Sequence, residues 1–348
     1  MEQRRIGNWR VGAVAFGGMN LSHGYGAAVT PEHARDLVHA ALEGGMTMFD
    51  TAALYGFGAN ERLLGPLLKA HRERIVLASK GGMAGVLGAD GGMRRVIDGR
   101  PETLRRNCED SLQRLGTEVI DLYYLHRWDQ SVPIEESVGA MARLVQEGKV
   151  RALGLSEVGA ETLRRAHREH PITALQSEYS LWTRNAELGT LQACQELGIA
   201  YVAFSPVGRG YLSGKLTDTA RLQAGDMRCT MPRFQPENYA RNLQLLQPMR
   251  EVAAQAGCTL AELALAWVLH QGMHVVALPG TTQWAHLQEN LRASAVQLTP
   301  QMLQSLHAIF APEAVAGDRY PLQAQSEVDT EKFVFEQTGR QAAASAPC

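Results

Sequence analysis

Cysteine and lysine are both scarce in this chain, and a surplus of either charge is missing. Five cysteines stand in 348 residues: Cys108, Cys194, Cys229, Cys258 and Cys348. No two form a C-x-x-C pair, and none adjoins a histidine cluster at metal-ligand spacing. That pattern offers no metal site and reads as free thiols in a reducing compartment. A formal net charge of −2 argues against a nucleic-acid footprint or a polybasic membrane patch. The arginines are scattered along expected helices, as charges on solvated faces are. No apolar run is long enough to span a bilayer, and the opening MEQRRIGNWR lacks the apolar stretch of a secretion signal. A cytoplasmic protein is expected. Hydrophobic residues at 45% and charged residues at 20% suit a globular chain with ample core.

What is present is a regular beat. Short apolar runs recur: AVAFGG (13–18), MTMFD (46–50), RIVLASK (74–80), VIDLYYLH (119–126), VRALGLS (150–156), ITALQSE (172–178), IAYVAFS (199–205) and HVVALPG (274–280). Each has the length and composition of a strand buried on both faces. Helix signals fall between them. TPEHARDLVHAALEGG has Thr30 as N-cap, Pro31 at the first helical position and Gly44-Gly45 as terminator. RPETLRRNCEDSLQRLG, PIEESVGAMARLVQEGK, GAETLRRAHREH, AELGTLQACQELG and QWAHLQENLRAS continue the pattern. Eight strand–helix beats without a linker predict a single domain over 1–348, a (β/α)8 TIM barrel of the α/β class. RRIGNWRVG predicts an N-terminal β-hairpin turning at Gly7-Asn8. The stretch 206–236 reads as a long Gly/Pro-punctuated connection. TPQMLQSLHAIF adds a C-terminal helix, and a loose tail is expected after about residue 331.

In such a barrel the reactive groups belong at the C-terminal strand ends. The second run ends in Asp50, with Tyr55 on the loop beyond; the third ends in Lys80 and the fourth in His126. Lys80 is informative because lysine supplies only five of the 34 cations: Lys69, Lys80, Lys149, Lys215 and Lys332. A compact ammonium with a tunable pKa at the inner end of a buried strand suits proton chemistry, and Asp50 next door can hold it charged. A core salt bridge and a satisfied core histidine are the plainer reading of Asp50, Lys80 and His126 taken singly. Together with Tyr55 they suggest more. A phenol beside an ammonium is expected to titrate below its ordinary value of about 10, so that Tyr55 acts as general acid. His126 can donate a hydrogen bond to a carbonyl oxygen. With no metal set and no activated Ser or Cys evident, the missing reagent is expected to be a hydride from a cofactor.

The order FDTAALYG (49–56), NERLLG (60–65), IVLASK, DLYYLH, GLSE, QSEYS, FSPVGRGYLSGK and PGTTQ…LQEN resembles the aldo-keto reductases, over about residues 4 to 330. The SPVGRGYLSGK loop and PGTT turn are similar to those of the longer bacterial or plant-type members. The resemblance implies an NAD(P)H-dependent reductase interconverting a carbonyl and an alcohol, with Asp50, Tyr55, Lys80 and His126 as its catalytic tetrad. It implies NADPH, with NADH possible, lying across the barrel top. Gly18, Met19 and Asp50 would approach it; Ser156 and Gln176 would hold the nicotinamide carboxamide, and Phe204 would stack on the ring. Ser205, Pro206, Val207, Gly208, Gly210 and Lys215 would follow the pyrophosphate. Gly280, Thr282, Gln283, His286, Glu289 and Asn290 would meet the adenosine end. Glu157 stands where many members carry Asn. Gln283 and His286 stand where members gripping a 2′-phosphate carry Lys or Arg, so weakened NADP preference is expected unless Arg209 compensates. The loops carrying His23, Tyr25, Trp128 and Trp182 open onto the site, and Tyr25 and Trp128 are expected to join Tyr55 and His126 against a small carbonyl substrate. A cofactor-binding redox sensor with slow turnover is the alternative; a phosphate-binding barrel lyase or isomerase would need different catalytic groups. Oligomeric state is not legible.

Overall fold

In the computed structural model, residues 1–88 and 91–337 are described. Cys348, and the expected loose tail from 338 onward, lie outside them. The chain begins with an antiparallel hairpin, β1 (Gln3–Ile6) and β2 (Trp9–Gly12), which turns at Gly7-Asn8 as the sequence predicts. Gly7 has φ 54°, a conformation glycine adopts without steric penalty. Next come β3 (Phe16–Gly17), β4 (Met48–Asp50) and β5 (Val76–Gly81). A second antiparallel hairpin follows, β6 (Met83–Leu87) and β7 (Met93–Ile97). The remaining strands are β8 (Ile120–Leu125), β9 (Val150–Ser156), β10 (Ile172–Glu178), β11 (Ala200–Phe204) and β12 (Val275–Leu278).

Eight of these strands, β3, β4, β5, β8, β9, β10, β11 and β12, form one parallel sheet in chain order. Parallel bridges Val14–Ala277 and Gly17–Gly280 join its two edges into a barrel. The fold is the (β/α)8 barrel predicted from the eight apolar runs.

Strand alternation sorts the side chains into two cores. Met48, Val76, Ala78, Leu122, Tyr124, Ala174, Val202 and Val276 fill the interior. Their neighbours Phe49, Leu77, Tyr123 and Leu175 face the helices. Side chains two apart share a face. Asp50 therefore points inward with Met48, and Lys80 with Val76 and Ala78. Ile6 and Val11 of the first hairpin belong to the interior core, so the hairpin plugs one end of the barrel and leaves the carboxyl ends for the site.

The expected helices are present, beginning with Pro31–Glu43, where the Thr30 side chain accepts from His33 N (3.3 Å). Several features have no counterpart in the sequence reading, among them the hairpin β6–β7 and the helices Ala59–Leu68, Pro236–Leu243, Leu246–Ala256 and Leu260–Leu269. Every residue of Leu260–Leu269 is buried, so it shows no 3.6-residue stripe to read. The connection after β11 holds short 3-10 turns, Gly208–Ser213, Thr219–Arg221, Met227–Thr230 and Pro232–Phe234. No single helix among the described residues is long and apolar enough to cross a membrane.

The chain after the helix Pro300–Ile309 differs from expectation near residue 331. Asp329 N donates to Glu157 O (3.1 Å), and the Glu331 carboxylate accepts from Ala160 N (2.8 Å). Asn185 donates to Glu331 O (3.1 Å) and to the Glu336 carboxylate (2.8 Å). These contacts fasten the segment through at least Glu336 to the barrel.

Candidate active site

A cavity of about 610 Å³ opens at the carboxyl ends of the strands. On its floor β4 ends in Asp50, which is 2% exposed. Lys80, fully buried on β5, lies behind that floor. Its ammonium pairs with Asp50 and donates to Thr51 O (3.0 Å) and Tyr55 Oη (3.1 Å). Gln176 Nε2, on β10 across the barrel, donates to the other Asp50 oxygen (2.8 Å). Both carboxylate oxygens are thus engaged, as a buried charge requires.

Tyr55 reaches this pair because the chain turns sharply after it. Gly56, Phe57 and Gly58 have φ of 55°, 51° and 88°. This left-handed run opens into the helix Ala59–Leu68. Asn60 and Glu61, the first helical residues of the quoted NERLLG, brace the turn. Asn60 Nδ2 donates to Gly18 O (2.8 Å), and Thr51 Oγ1 donates to Asn60 Oδ1 (2.7 Å). Glu61 accepts from Ser79 Oγ (2.6 Å) and Arg114 Nε (2.6 Å). Sequence reading gave these two residues no role, although a buried Asn-Glu pair opening an otherwise apolar helix is the available signal.

His126 follows β8, and its ring meets the Tyr55 ring edge-on, with centroids 5.7 Å apart. His23 stacks on Tyr55 at 5.9 Å. Burial, reinforced by Lys80, Arg127 and Arg95, holds the His126 pKa well below that of an ordinary histidine, so the ring is neutral near pH 7. For Lys80, burial alone would lower the pKa, but Asp50 and Tyr55 outweigh it and the net shift is upward. Burial raises the Asp50 pKa, with Lys80 and Gln176 opposing. Tyr55 departs from expectation. Its burial raises the phenol above the ordinary tyrosine value, and the neighbouring Lys80 offsets this only in part. The expected net fall is corrected: desolvating a phenolate exceeds the attraction of an ammonium already committed to Asp50.

The cavity wall includes Met19, Asp50, Tyr55, His126, Ser156, Gln176 and Phe204, then Ser205, Pro206, Val207 and Gly210. It continues through Gly280, Thr282, Gln283, His286, Glu289 and Asn290, and it carries Tyr25 and His23. Five expected contacts stand elsewhere or are replaced. Gly18 lies behind the wall, where a Cβ would meet Asp50 O at 2.8 Å, and Gly17 faces the cavity instead. Gly208 backs onto Trp182, with Cε3 3.1 Å from where its Cβ would be. Lys215 is outside the wall and pairs with Glu289 (3.1 Å). Trp128 is also outside; its indole N–H donates to Val132 O (2.8 Å). Trp182 is a core residue, stacked on Tyr211 at 4.0 Å.

Arg209 is on the wall but its charge is spent: it pairs with buried Glu178 (2.8 Å) and donates to Tyr320 Oη (3.2 Å). His286 is kept from charging by burial and by Lys215. Wall residues absent from the sequence reading are Arg95 of β7, Arg127, Arg228, and Tyr320 and Glu327 of the C-terminal segment. Arg95 depends on the unforeseen hairpin, and Tyr320 and Glu327 on how the C-terminal segment folds back, whereas Arg127 directly follows His126 and Arg228 lies in the long connection.

A closed parallel barrel with an Asp–Lys–Tyr–His cluster beside an elongated cavity at its carboxyl mouth defines a barrel oxidoreductase. The aldo/keto reductase family model matches residues 13–311. A probable aldo-keto reductase from Glycine max is 43% identical over 313 residues, 90% of this chain and 89% of its own length. Among solved structures, a glycerol dehydrogenase from Gluconobacter oxydans superposes with a TM-score of 0.82 at 29% identity, covering 89% of this chain and 95% of that one. An aldo-keto reductase from Bacillus halodurans, in its holo form, gives 0.72 at 28% identity, covering 92% and 99%. The chain belongs to the aldo/keto reductase family, whose common chemistry is NAD(P)H-dependent carbonyl reduction.

Proposed function

We propose that this protein reduces an aldehyde or ketone to an alcohol with NADPH, accepts NADH as well, and uses Tyr55 as the proton donor. The observation that carries the reading is the Lys80 ammonium joined at once to Asp50 and to Tyr55 Oη (3.1 Å) on the floor of the cavity that His126 also lines. Raised by burial, the Tyr55 hydroxyl holds its proton near neutral pH, as a general acid must before transfer. As the proton leaves, Lys80 stabilises the phenolate without moving, because Asp50 and Thr51 already hold it. Neutral His126 has Nδ1 buried without a partner among the described residues. Burying a bare lone pair is less costly than burying an unmet N–H, so the proton belongs on Nε2, where it can donate to the substrate oxygen.

The wall fits a nicotinamide dinucleotide. Ser205, Gly208, Arg209 and Gly210 all have positive φ (50°, 55°, 54° and 93°), which bends the backbone into the concave form that suits a phosphate. Ser156 and Gln176 would hold the carboxamide, Phe204 the ring face, and Glu289 and Asn290 the adenosine end. When bound, the cofactor supplies the hydride. Among the described residues, no charged side chain near Gln283 and His286 is free of a carboxylate partner to meet a 2′-phosphate, while the uncapped start of the helix Trp284–Arg292 lies there. Loose discrimination between NADPH and NADH follows.

The test follows reduced-nicotinamide absorbance with a reactive aromatic aldehyde, NADPH and NADH side by side, in wild type and Tyr55→Phe. Wild type consumes both cofactors. Tyr55→Phe binds cofactor but reduces about 10²–10⁴-fold more slowly. Near-normal turnover in the variant removes Tyr55 from its role. Cofactor binding without any turnover in wild type favours the redox-sensor alternative.

A further inference from the structure

The cavity wall is nearly balanced in charge. Three carboxylates line it, and each has a cation: Asp50 with Lys80, Glu289 with Lys215 (3.1 Å), and Glu327 with Arg95 (2.5 Å). Four arginines line it. Arg95 pairs with Glu327, Arg209 with Glu178 (2.8 Å) and Arg228 with Asp226 (2.6 Å). Arg127 has no carboxylate partner among the described residues. It is half-buried, and its Nη1 is anchored on His126 O (2.7 Å) and Ser156 Oγ (3.3 Å). That anchoring uses one nitrogen of the guanidinium, and no acceptor among the described residues takes the others. A fixed, partly desolvated cation without a counter-charge is unfavourable for the empty protein and favourable for an anionic ligand. The planar guanidinium fork matches a carboxylate. Its field reaches the catalytic groups, because it acts on both the His126 ring and the Tyr55 hydroxyl.

We infer that Arg127 is a specificity-determining residue and that the preferred substrate is a carbonyl compound carrying a carboxylate, an oxo acid, whose carboxylate pairs with the Arg127 guanidinium. This rests on the reductase reading above and names the substrate class of the same site. The apolar neighbours on the wall, Met19, Leu54 and Met83, suit the carbon skeleton between the two polar ends.

The test uses two acid–ester pairs of different spacing: 4-formylbenzoate and phenylglyoxylate, each against its methyl ester. In wild type, kcat/KM favours the acid of at least one pair by about tenfold to a hundredfold, the usual range for a charge-assisted contact. Arg127→Gln collapses that acid-to-ester ratio, and Arg127→Lys restores it in part by returning the charge without the fork. Binding is measured separately by calorimetry, with 4-(hydroxymethyl)benzoate and mandelate against their esters, on protein saturated with oxidised cofactor. Wild type binds at least one carboxylate more tightly than its ester, and Arg127→Gln does not. The inference is overturned if esters and acids are used and bound alike in wild type, or if the ratio survives Arg127→Gln. It is also overturned if Arg127→Gln weakens ADP-ribose binding by the same factor, since the cofactor would then be the anion Arg127 meets. If carboxylates bind through Arg127 but nothing is reduced, the anion site stands and the reductase reading falls.

Discussion

At the scale of single residues, the tetrad depends on burial as much as on charge. Lys80 stays ionised in the barrel because Asp50 faces it across adjacent strands and Gln176 secures the second carboxylate oxygen. The same burial raises the Tyr55 pKa, and the sign of the pH dependence follows. On the proposed role of Tyr55, reduction needs the protonated phenol, so kcat/KM for an aldehyde is expected to be level across neutral pH and to fall only as pH rises through a Tyr55 pKa above the ordinary tyrosine value. Alcohol oxidation needs the phenolate and increases over the same alkaline range. Rate profiles in both directions check this; a reduction limb already falling below about pH 9, well under the ordinary value, would show that Lys80 outweighs burial. His126, neutral across this range, contributes no acid limb of its own above the ordinary histidine value.

At the scale of elements, the ends of β9 and β10 place two buried carboxylates beside the site, Glu157 and Glu178. Glu178 takes Arg209 from the long connection and accepts from Thr183 Oγ1 (2.9 Å), while Glu157 pairs with Arg319 from the C-terminal segment. These ionic joins hold irregular chain against regular strand ends. Arg209→Ala would leave Glu178 buried without its closest ion pair, with Arg319 3.6 Å away and the buried Arg233 acting on it from a longer range. Loss of a buried partner costs about 3–5 kcal/mol. Urea unfolding of the variant is expected to fall in that range, and a loss under about 1 kcal/mol would show that Arg319 replaces the missing charge.

At the scale of the whole molecule, the cavity is completed by parts far apart in sequence. Arg95 of the β6–β7 hairpin meets Glu327 of the C-terminal segment across its mouth (2.5 Å), and Gln130 donates to Ser326 O (3.1 Å). Tyr320, Pro321 and Ala324 supply wall between them. A chain ending at 311 would keep every strand and the tetrad but lose that wall and the Arg319 partner of Glu157. Its thermal midpoint is expected to drop and its KM for an aldehyde to rise about tenfold or more, with cofactor affinity, measured by fluorescence titration, less affected. Unchanged KM in the truncated protein would mean that the segment forms no part of the substrate site. Glu327→Gln, which loosens only the Arg95 contact, gives the same comparison in a chain that retains its full length.

Strand identity, barrel class and the gathering of Asp50, Tyr55, Lys80 and His126 were legible in the sequence because they depend on local pattern. Short, near-continuous apolar runs, proline and glycine at helix ends, and a rare lysine at the inner end of a buried strand all report on a few neighbouring residues. Asp50 and Lys80 share a face by strand parity alone, and parity can be counted along a sequence. What tertiary structure alone decided has no such local signature. The helix Leu260–Leu269 is apolar all round and so shows no face. The direction of the Tyr55 shift depends on water excluded by distant elements. Trp128 and Trp182 look like mouth residues in sequence, yet one bonds its own loop and the other stacks in the core. Whether an arginine is neutralised, as Arg209 is by Glu178, or has no carboxylate partner among the described residues, as Arg127 has none, depends on which carboxylates the fold brings within reach. Charge compensation acts through space, and only the folded chain sets those distances.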